Sequence, residues 1–469
     1  MEIYLFNTLG REKQLFKPIN NGKAGLYTCG PTVYDYQHIG NFRTFLFEDF
    51  LKRMLLYNGY EVLHIMNITD VGHLTSDADE GEDKMEKGSA RTGKTVWEIA
   101  EYYTKHFIDD AKALNILPPF KYTKATDYIP EQIEMIKCLE DKGYTYKTSD
   151  GIYFDTSKIK DYGKLARLDI EGLEEGSRIS FSSEKRNKTD FALWKFSPAS
   201  TKRQMEWDSP WGKGFPGWHI ECSAMSRKFL GDTFDIHCGG VDHIPIHHTN
   251  EIAQSEACTG KPFVNYWMHG AFLEEDSGKM SKSKGEFIRV HTLAESGFSP
   301  LDYRYLCLGT HYRKRLLFSW EILGQAKTAL SRLRENIKQI KSEISNDNIP
   351  ENVALENELK NNFNEAINDD LNMPQALAVL WGVIRNNNLS NSQKLKLIIN
   401  FDSVLGLNLN ENFSNQTQEI PKEILELVMQ RTEAKKQKDF NKADEIRQKI
   451  KSLGYEIIDK KEGPELKKI

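Results

Sequence analysis

The chain is predicted to be an α/β protein built on a parallel sheet, with an insertion in the sheet domain, a helical bundle after it and a small C-terminal module. Three observations carry that expectation. Residues 25–67 alternate strand, helix and strand, and the same rhythm returns over residues 233–273. Beyond Ser319 the pattern becomes helical, as in residues 321–344. At 469 residues the chain is also too long for one core, so about three domains are expected.

Gly25-Leu-Tyr-Thr-Cys29 is a strand-like run that ends in a buried-looking cysteine. A break follows at Gly30 and Pro31, and His38-Ile-Gly-Asn41 then opens a helix. Over residues 42–57, Leu46, Phe47, Phe50, Leu51, Met54 and Leu55 share a broad apolar face, with Glu48, Asp49, Lys52 and Arg53 opposite. Phe45 and Leu56 interrupt the polar side, so the helix is expected to be covered on more than one flank. Asn58-Gly59 supplies its stop, and residues 60–67 return as a buried strand. This is a βαβ unit of Rossmann type, and ligands of such sheets sit at the carboxyl ends of strands, where Cys29 and His38 fall.

Residues 233–237 and 265–273 resume the strands, around a helix expected over residues 245–257. Residues 121–215 break the rhythm and run into a Pro/Gly/Trp-rich loop at 209–218. They are expected as an insertion between two sheet halves, residues 1–120 and 216–275. A lysine-bearing loop opens residues 276–320, and residues 321–410 form the bundle. Polar linkers at 345–350 and 408–419 set off residues 411–469.

Hydrophobic content of 39% with 28% charged residues describes a soluble chain, and no apolar run approaches the roughly 18 residues of a membrane span. The N-terminus has no basic stretch followed by an apolar one, so no secretory signal and no membrane partner are expected, and the location is expected to be cytoplasmic. Six cysteines without paired spacing are expected as reduced thiols. The net charge of −5 does not advertise nucleic acid. Residues 421–469 carry 13 Lys+Arg against 10 Asp+Glu, a balance of +3 that lends weak support to RNA contact.

Two constellations carry chemistry. His38-Ile-Gly-Asn41 sits where a helix N-terminus presents N–H groups and positive partial charge to a phosphate, and Gly40 lets a flat ligand approach the backbone. Lys279-Met-Ser-Lys-Ser283 lies in a loop with three lysines, suited to closing over a triphosphate. The second constellation is metal-like. Five of the twelve histidines fall between His219 and His248, and His247 and Glu251 are four apart on one helix face. Nitrogen, carboxylate and thiolate are the ligand set of zinc. Spacing alone leaves Cys29, Cys222, Cys238, His237, His243 and His248 open as the remaining ligands.

The first pair of motifs resembles the two hallmarks of the class I aminoacyl-tRNA synthetases, complete in Lys279–Ser283 and departing at Asn41, where those enzymes have histidine. Cys29-Gly-Pro-Thr-Val-Tyr-Asp, Gly217-Trp-His-Ile-Glu-Cys222-Ser-Ala-Met, His247-His-Thr-Asn-Glu251, Phe191-Ala-Leu-Trp-Lys195 and Asn67-Ile-Thr-Asp70 resemble, more specifically, the cysteinyl-tRNA synthetase family. The resemblance runs through nearly the whole chain. It implies one Zn²⁺ per chain held by Cys29, Cys222, His247 and Glu251, with Cys138, Cys238, Cys258 and Cys307 left as core thiols. It implies ATP bound with Mg²⁺ at His38, Gly40, Asn41 and Lys282, with Lys279 assisting catalysis, and L-cysteine held by Cys29, Thr69, Trp218 and Asp242. The implied partner is tRNA(Cys), met by a stem-contact region at 276–320 and an anticodon-binding module at 411–469, where Phe440, Arg447 and Asp459 are candidate base readers. A monomer is expected. Two alternatives are a cysteine ligase acting on an amino sugar, disfavoured by the residues after about 410, and a tRNA-binding relative without catalysis, suggested only by Asn41.

Overall fold

Five parallel strands form the central sheet of the computed structural model, which describes residues 1–72, 84–168, 184–197, 203–275, 278–279, 287–346, 349–410, 422–436, 439–460 and 463–468. The chain opens with an antiparallel pair, β1 (Tyr4–Asn7) and β2 (Glu12–Leu15). β3 (Lys23–Thr28), α1 (Ile39–Tyr57) and β4 (Glu61–Ile68) then make the expected βαβ unit, in register from Lys23↔Glu61 to Thr28↔Met66. α2 (Lys84–Thr92) and α3 (Val96–Ala113) lead to β5 (Lys121–Lys124), which pairs in parallel with β4. β5 corrects the expectation that residues from 121 onward leave the sheet. Four residues reading Lys-Tyr-Thr-Lys carry no apolar periodicity to betray an edge strand.

The excursion begins with α4 (Ile129–Asp141) and holds an antiparallel sheet of β6 (Thr145–Lys147), β7 (Gly151–Phe154), β8 (Phe191–Phe196) and β9 (Gly214–Pro216). The chain returns through α5 (Trp218–Leu230), β10 (Phe234–Gly240), α6 (His247–Thr259) and β11 (Val264–Gly270). The last strand stops short of residue 273, because Ala271 gives its N–H to Tyr312 O at 2.8 Å and turns away. β12 (Leu273–Glu275) then joins a separate three-stranded sheet with β13 (Gly278–Lys279) and β14 (Leu316–Phe318). The central order β11-β10-β3-β4-β5 reverses direction between β3 and β10, with Cys238 opposite Thr28. The crevice beyond the carboxyl ends at that reversal is where an open α/β sheet binds its ligand.

α1 is buried on nearly every side, and its charged face does not meet water. Asp49 accepts from Arg53 Nε at 2.8 Å and from Arg304 Nη2 at 2.6 Å, and all three residues are buried. Arg304 belongs to α8 (Pro300–Leu308), which follows α7 (Val290–Glu295). Its guanidinium also reaches the carbonyls of Leu114 and Leu405. These bonds tie the sheet domain to a bundle of α9 (Trp320–Glu343), α10 (Val353–Asn368), α11 (Met373–Arg385) and α12 (Asn391–Leu405). In that bundle Phe363 and Phe401 stack at 3.9 Å over a core that includes Leu330, Leu333, Ile367 and Leu380.

Met1–Leu409 form one compact unit and Asn410–Ile469 a second. The second holds α13 (Lys422–Lys436), α14 (Phe440–Ser452) and a hairpin of β15 (Tyr455–Lys460) and β16 (Gly463–Lys468). Its own small core is Ile424, Leu427, Ile446, Ile450, Tyr455 and Ile457. Arg447 is exposed on α14, while the side chains of Phe440 and Asp459 lie outside the described ones. Cys138 and Cys258, expected as thiols, are joined as a disulfide between α4 and α6. A separation of 120 residues hides such a pair from any local spacing rule. Among the described residues no helix is long and apolar enough to cross a membrane.

Candidate active site and metal centre

The carboxyl ends of β3 and β10 open into a cleft of about 400 Å³. Its walls are the loop at residues 29–41, the start of α5 at Gly217, Trp218 and His219, residues 240–243 and residues 270–273. The insertion contributes Lys195 and Phe215.

α1 begins in this cleft with a reciprocal cap. His38 Nδ1 accepts the backbone N–H of Asn41 at 3.3 Å, and Asn41 Oδ1 accepts the backbone N–H of His38 at 3.1 Å. Such a box satisfies two otherwise orphaned donors. It gives Asn41 a role that does not depend on charge. Because Nδ1 accepts a hydrogen bond, Nε2 is the nitrogen that carries the proton of the neutral ring. Phe287 stacks on the ring at 4.7 Å and 13°, and Ile39 donates to Ile288 O at 2.9 Å. The segment at Phe287 and Ile288 therefore runs beside the first motif. Lys279 closes β13; its side chain, and Lys282 with the rest of residues 280–286, lie outside the described residues. A Cβ on Gly40 would stand 2.8 Å from His38 Cε1 and Nδ1, which explains the glycine sterically rather than by its backbone angles.

Behind the cleft wall at Cys29, the residues Cys29, Cys222, His247 and Glu251 each present one ligand atom, all within 4.8 Å of one another and all buried. The second set that satisfies the same limits, Cys29, His237, His248 and Glu251, shares two of these residues. His248 in that set is engaged at both nitrogens, at 3.3 Å from Cys29 Sγ and 2.8 Å from His269 Nε2, and His269 continues to Thr8 Oγ1 at 2.7 Å. His237 Nε2 stands 2.9 Å from Glu251 Oε2. These two imidazoles thus contact Cys29 and Glu251, the two residues that both sets share. His219 Nδ1 lies 3.0 Å from His247 Nδ1, and the Trp218 ring lies 4.4 Å from that of His247.

Protonation within the cluster follows from burial and close pairing. Burial raises the Glu251 carboxyl, but His237 and His247 overcome it and hold it at about 2. Burial lowers the His247 imidazole, yet Glu251 and Cys222 bring it up to about 10. Burial also raises the Cys222 thiol, and hydrogen bonds with Cys29 and His247 bring it down to about 7. Cys29, buried beside that thiol, is raised well above its ordinary value. The proton on His247 therefore supplies the positive charge that faces the Glu251 carboxylate, while Cys29 stays a neutral thiol. Glu251 Oε1 makes no aligned hydrogen bond, although His247 Nε2 is 3.1 Å away. His247 and Glu251 thus face each other as an ion pair, and each offers a ligand atom within 4.8 Å of both sulfurs. The N, O and S donors are those of zinc.

Asp242 and Trp218 line the cleft as expected of substrate contacts. Thr69 stands behind the wall instead: its backbone N–H reaches Pro31 O at 3.0 Å, and its hydroxyl donates to Glu221 Oε2 at 3.0 Å. Sequence reasoning passed over Phe287, Tyr36 and Lys195. Lys195 was quoted only inside a motif, yet its Nζ lies 2.5 Å from Asp150 Oδ2 and 2.9 Å from Tyr153 OH at the cleft edge.

Comparison with known proteins converges on one group. Residues 15–328 match the family described as tRNA synthetases class I (C) catalytic domain, and residues 362–410 match the DALR domain. The chain is 52% identical to "Cysteine--tRNA ligase 1" of Burkholderia lata over 99% of its own length and 97% of the relative's. It is 47% identical to the cysteine–tRNA ligase of Treponema denticola over 98% of each chain. In fold it is similar to Mycobacterium tuberculosis methionyl-tRNA synthetase in complex with methionyl-adenylate, at a TM-score of 0.57 and 14% identity, covering 82% of this chain and 90% of that one.

Proposed function

Since this chain belongs to the cysteine–tRNA ligase family, we propose that it activates L-cysteine with ATP and transfers the cysteinyl group to tRNA(Cys), as a cytoplasmic monomer. The observation that carries this reading is the meeting of Cys222, His247 and Glu251 with Cys29, which itself lines the cleft that α1 enters with its N-terminus.

In the first step a carboxylate oxygen of cysteine attacks the α-phosphorus of ATP, and the bond to the β-phosphate oxygen breaks to release pyrophosphate. No side-chain nucleophile is required; positioning and stabilisation of developing charge carry the step. The proton on His38 Nε2 and the N-terminal N–H groups of α1 are donors for phosphate oxygens. Asn41 keeps His38 in place through the reciprocal cap, and Gly40 leaves the room that the ring fills. Lys282 and Lys279 supply cationic charge from the loop that returns beside Phe287, and Mg²⁺ accompanies ATP. A ribose hydroxyl at the tRNA terminus then attacks the activated carbonyl, and AMP leaves.

Cys29, Cys222, His247 and Glu251 would hold Zn²⁺, and a metal there would supply a partner for a substrate thiolate that serine cannot match, because coordination deprotonates a thiol outright. A pocket without such a partner separates substrates this similar by only a few kcal/mol. Trp218, packed on His247, and Asp242 shape the pocket around the amino acid. The test is exchange of pyrophosphate into ATP with each amino acid in turn, alongside metal analysis of the same sample. Exchange with cysteine alone and about one zinc per chain are expected. Exchange driven by another amino acid, or none at all from a zinc-loaded chain, would overturn the reading.

A further inference from the structure

Tyr36 lines the cleft and also belongs to a second group of rings outside it. Its hydroxyl shares a 2.6 Å hydrogen bond with that of Tyr102 on α3. Tyr103 and His106 meet its ring edge-on at 5.0 and 5.1 Å. The Arg289 guanidinium lies over the Tyr36 ring at 4.0 Å, and the Lys94 ammonium lies over Tyr102 at 4.7 Å. Tyr102 is nonetheless 40% exposed.

Single exposed aromatics are ordinary on a protein surface and ask for no explanation. This group differs because its rings and cations are contiguous and run from solvent into the cleft wall. The nearby carboxylates are largely occupied: Glu101 pairs with Lys124 at 2.6 Å and Asp109 with Lys105 at 2.5 Å. Asp110 lies near Arg289 and His291, whose charge opposes the rise to about 6 that burial gives its carboxyl. The Tyr36 hydroxyl, tied to Tyr102, is raised to about 12, so it stays neutral. Neutral rings beside the half-buried Arg289 and the exposed Lys94 at the lip of a cleft suit one chemistry well. Unpaired RNA bases stack on aromatic rings and guanidinium planes while their phosphates meet positive charge.

We propose that the Tyr36, Tyr102 and Arg289 cluster is the platform on which an unpaired base near the tRNA 3′ end stacks as the terminal ribose enters the cleft. The proposal rests on the function assigned above and extends it to the path of the nucleic acid. The platform is continuous with the cleft through Tyr36, so a strand seated on it is led toward His38, two residues further on. Tyr102 is the position to change, because it stands outside the cleft lining.

The experiment measures aminoacylation at varied tRNA(Cys) and pyrophosphate exchange on the same preparations of wild type, Tyr102→Ala and Tyr102→Phe. Loss of one stacked base predicts a fall in kcat/KM for tRNA of roughly five- to 150-fold in Tyr102→Ala, with exchange kinetics for cysteine and ATP unchanged. Tyr102→Phe keeps the ring and is expected within a few-fold of wild type. A tRNA shortened by its unpaired 3′ end should bind wild type and Tyr102→Ala equally. Unchanged aminoacylation in Tyr102→Ala, an equal loss in Tyr102→Phe, or a matching loss of exchange would each overturn the platform. Absence of cysteine-dependent exchange in wild type would instead overturn the function on which it rests.

Discussion

Replacing Gly40 with alanine separates the catalytic role of the first motif from its structural role. The added Cβ would stand 2.8 Å from His38 Cε1 and Nδ1 and 3.8 Å from Leu273 Cβ. Ordinary contact begins at about 3.4 Å, so the imidazole must shift by roughly half an ångström or more. That shift strains both the 3.3 Å acceptance from Asn41 N and the 4.7 Å stack on Phe287. Two opposed terms decide the stability. Alanine in a helix is favoured over glycine by about 0.5–1 kcal/mol, and a weakened cap costs about 1 kcal/mol. The net is within about 1 kcal/mol, a shift of a few degrees in Tm at most. The chemistry has no such compensation, because a misplacement of about 1 Å at a reacting centre costs about 10²-fold in rate. Thermal unfolding and cysteine-dependent pyrophosphate exchange on one preparation check both halves. A Gly40→Ala chain that exchanges at the wild-type rate would refute the assignment of His38 as a phosphate donor held by this contact.

Three further outcomes follow from particular contacts. Asp49→Asn removes the carboxylate that two buried guanidiniums share, and breaking such a pair costs about 3–5 kcal/mol. Urea unfolding should show it, and a loss below about 1 kcal/mol would contradict the pairing. His64 is buried with its imidazole lowered to about 3, mainly by burial and next by Lys52. The unfolded chain therefore binds more protons than the folded one between about pH 3 and the ordinary histidine value near 6.5, so stability falls as pH drops through that window. At pH 5 the loss attributable to His64 is about 2 kcal/mol, and His64→Gln should remove it from the urea midpoints at pH 7 and pH 5. Asn41→Ala deletes the acceptor of the His38 N–H and should lower stability by about 1 kcal/mol. Asn41→Asp keeps that acceptor and restores stability in thermal melts, but its charge beside the phosphates slows exchange; an alanine variant as stable as wild type would count against the cap.

The βαβ unit around Cys29 and His38 was legible because its signals are local. Apolar spacing sets α1, and Asn58-Gly59 ends it within a residue of the expected place. The metal cluster was half legible. His247 and Glu251 sit one turn apart on α6, but joining them to Cys29 and Cys222 needs the strand order that puts β3 next to β10. Periodicity contains no such long-range information, so spacing left Cys238, His237, His243 and His248 as rivals, and the fold brings His237 and His248 to Glu251 and Cys29 as well. The polar face of α1 misled for a related reason. Glu48, Asp49, Lys52 and Arg53 fall where a solvated stripe belongs, yet they are buried and Asp49 is paired with Arg304, 255 residues away. Thr69 illustrates a smaller gap, since a hydroxyl aimed at Glu221 and one aimed at substrate look alike in sequence.

The central claim, that a zinc site behind the cleft wall at Cys29 selects the amino acid that α1 helps activate, is tested most directly by replacing the metal with cobalt. Cobalt bound by Cys29 and Cys222 should show thiolate-to-metal charge-transfer absorption, and Cys222→Ser should weaken it. The account predicts that L-cysteine intensifies this absorption by adding a further sulfur ligand, while L-serine at the same concentration leaves it unchanged. A chain that binds no cobalt, or one whose spectrum responds to neither amino acid while cysteine is still activated, would contradict it.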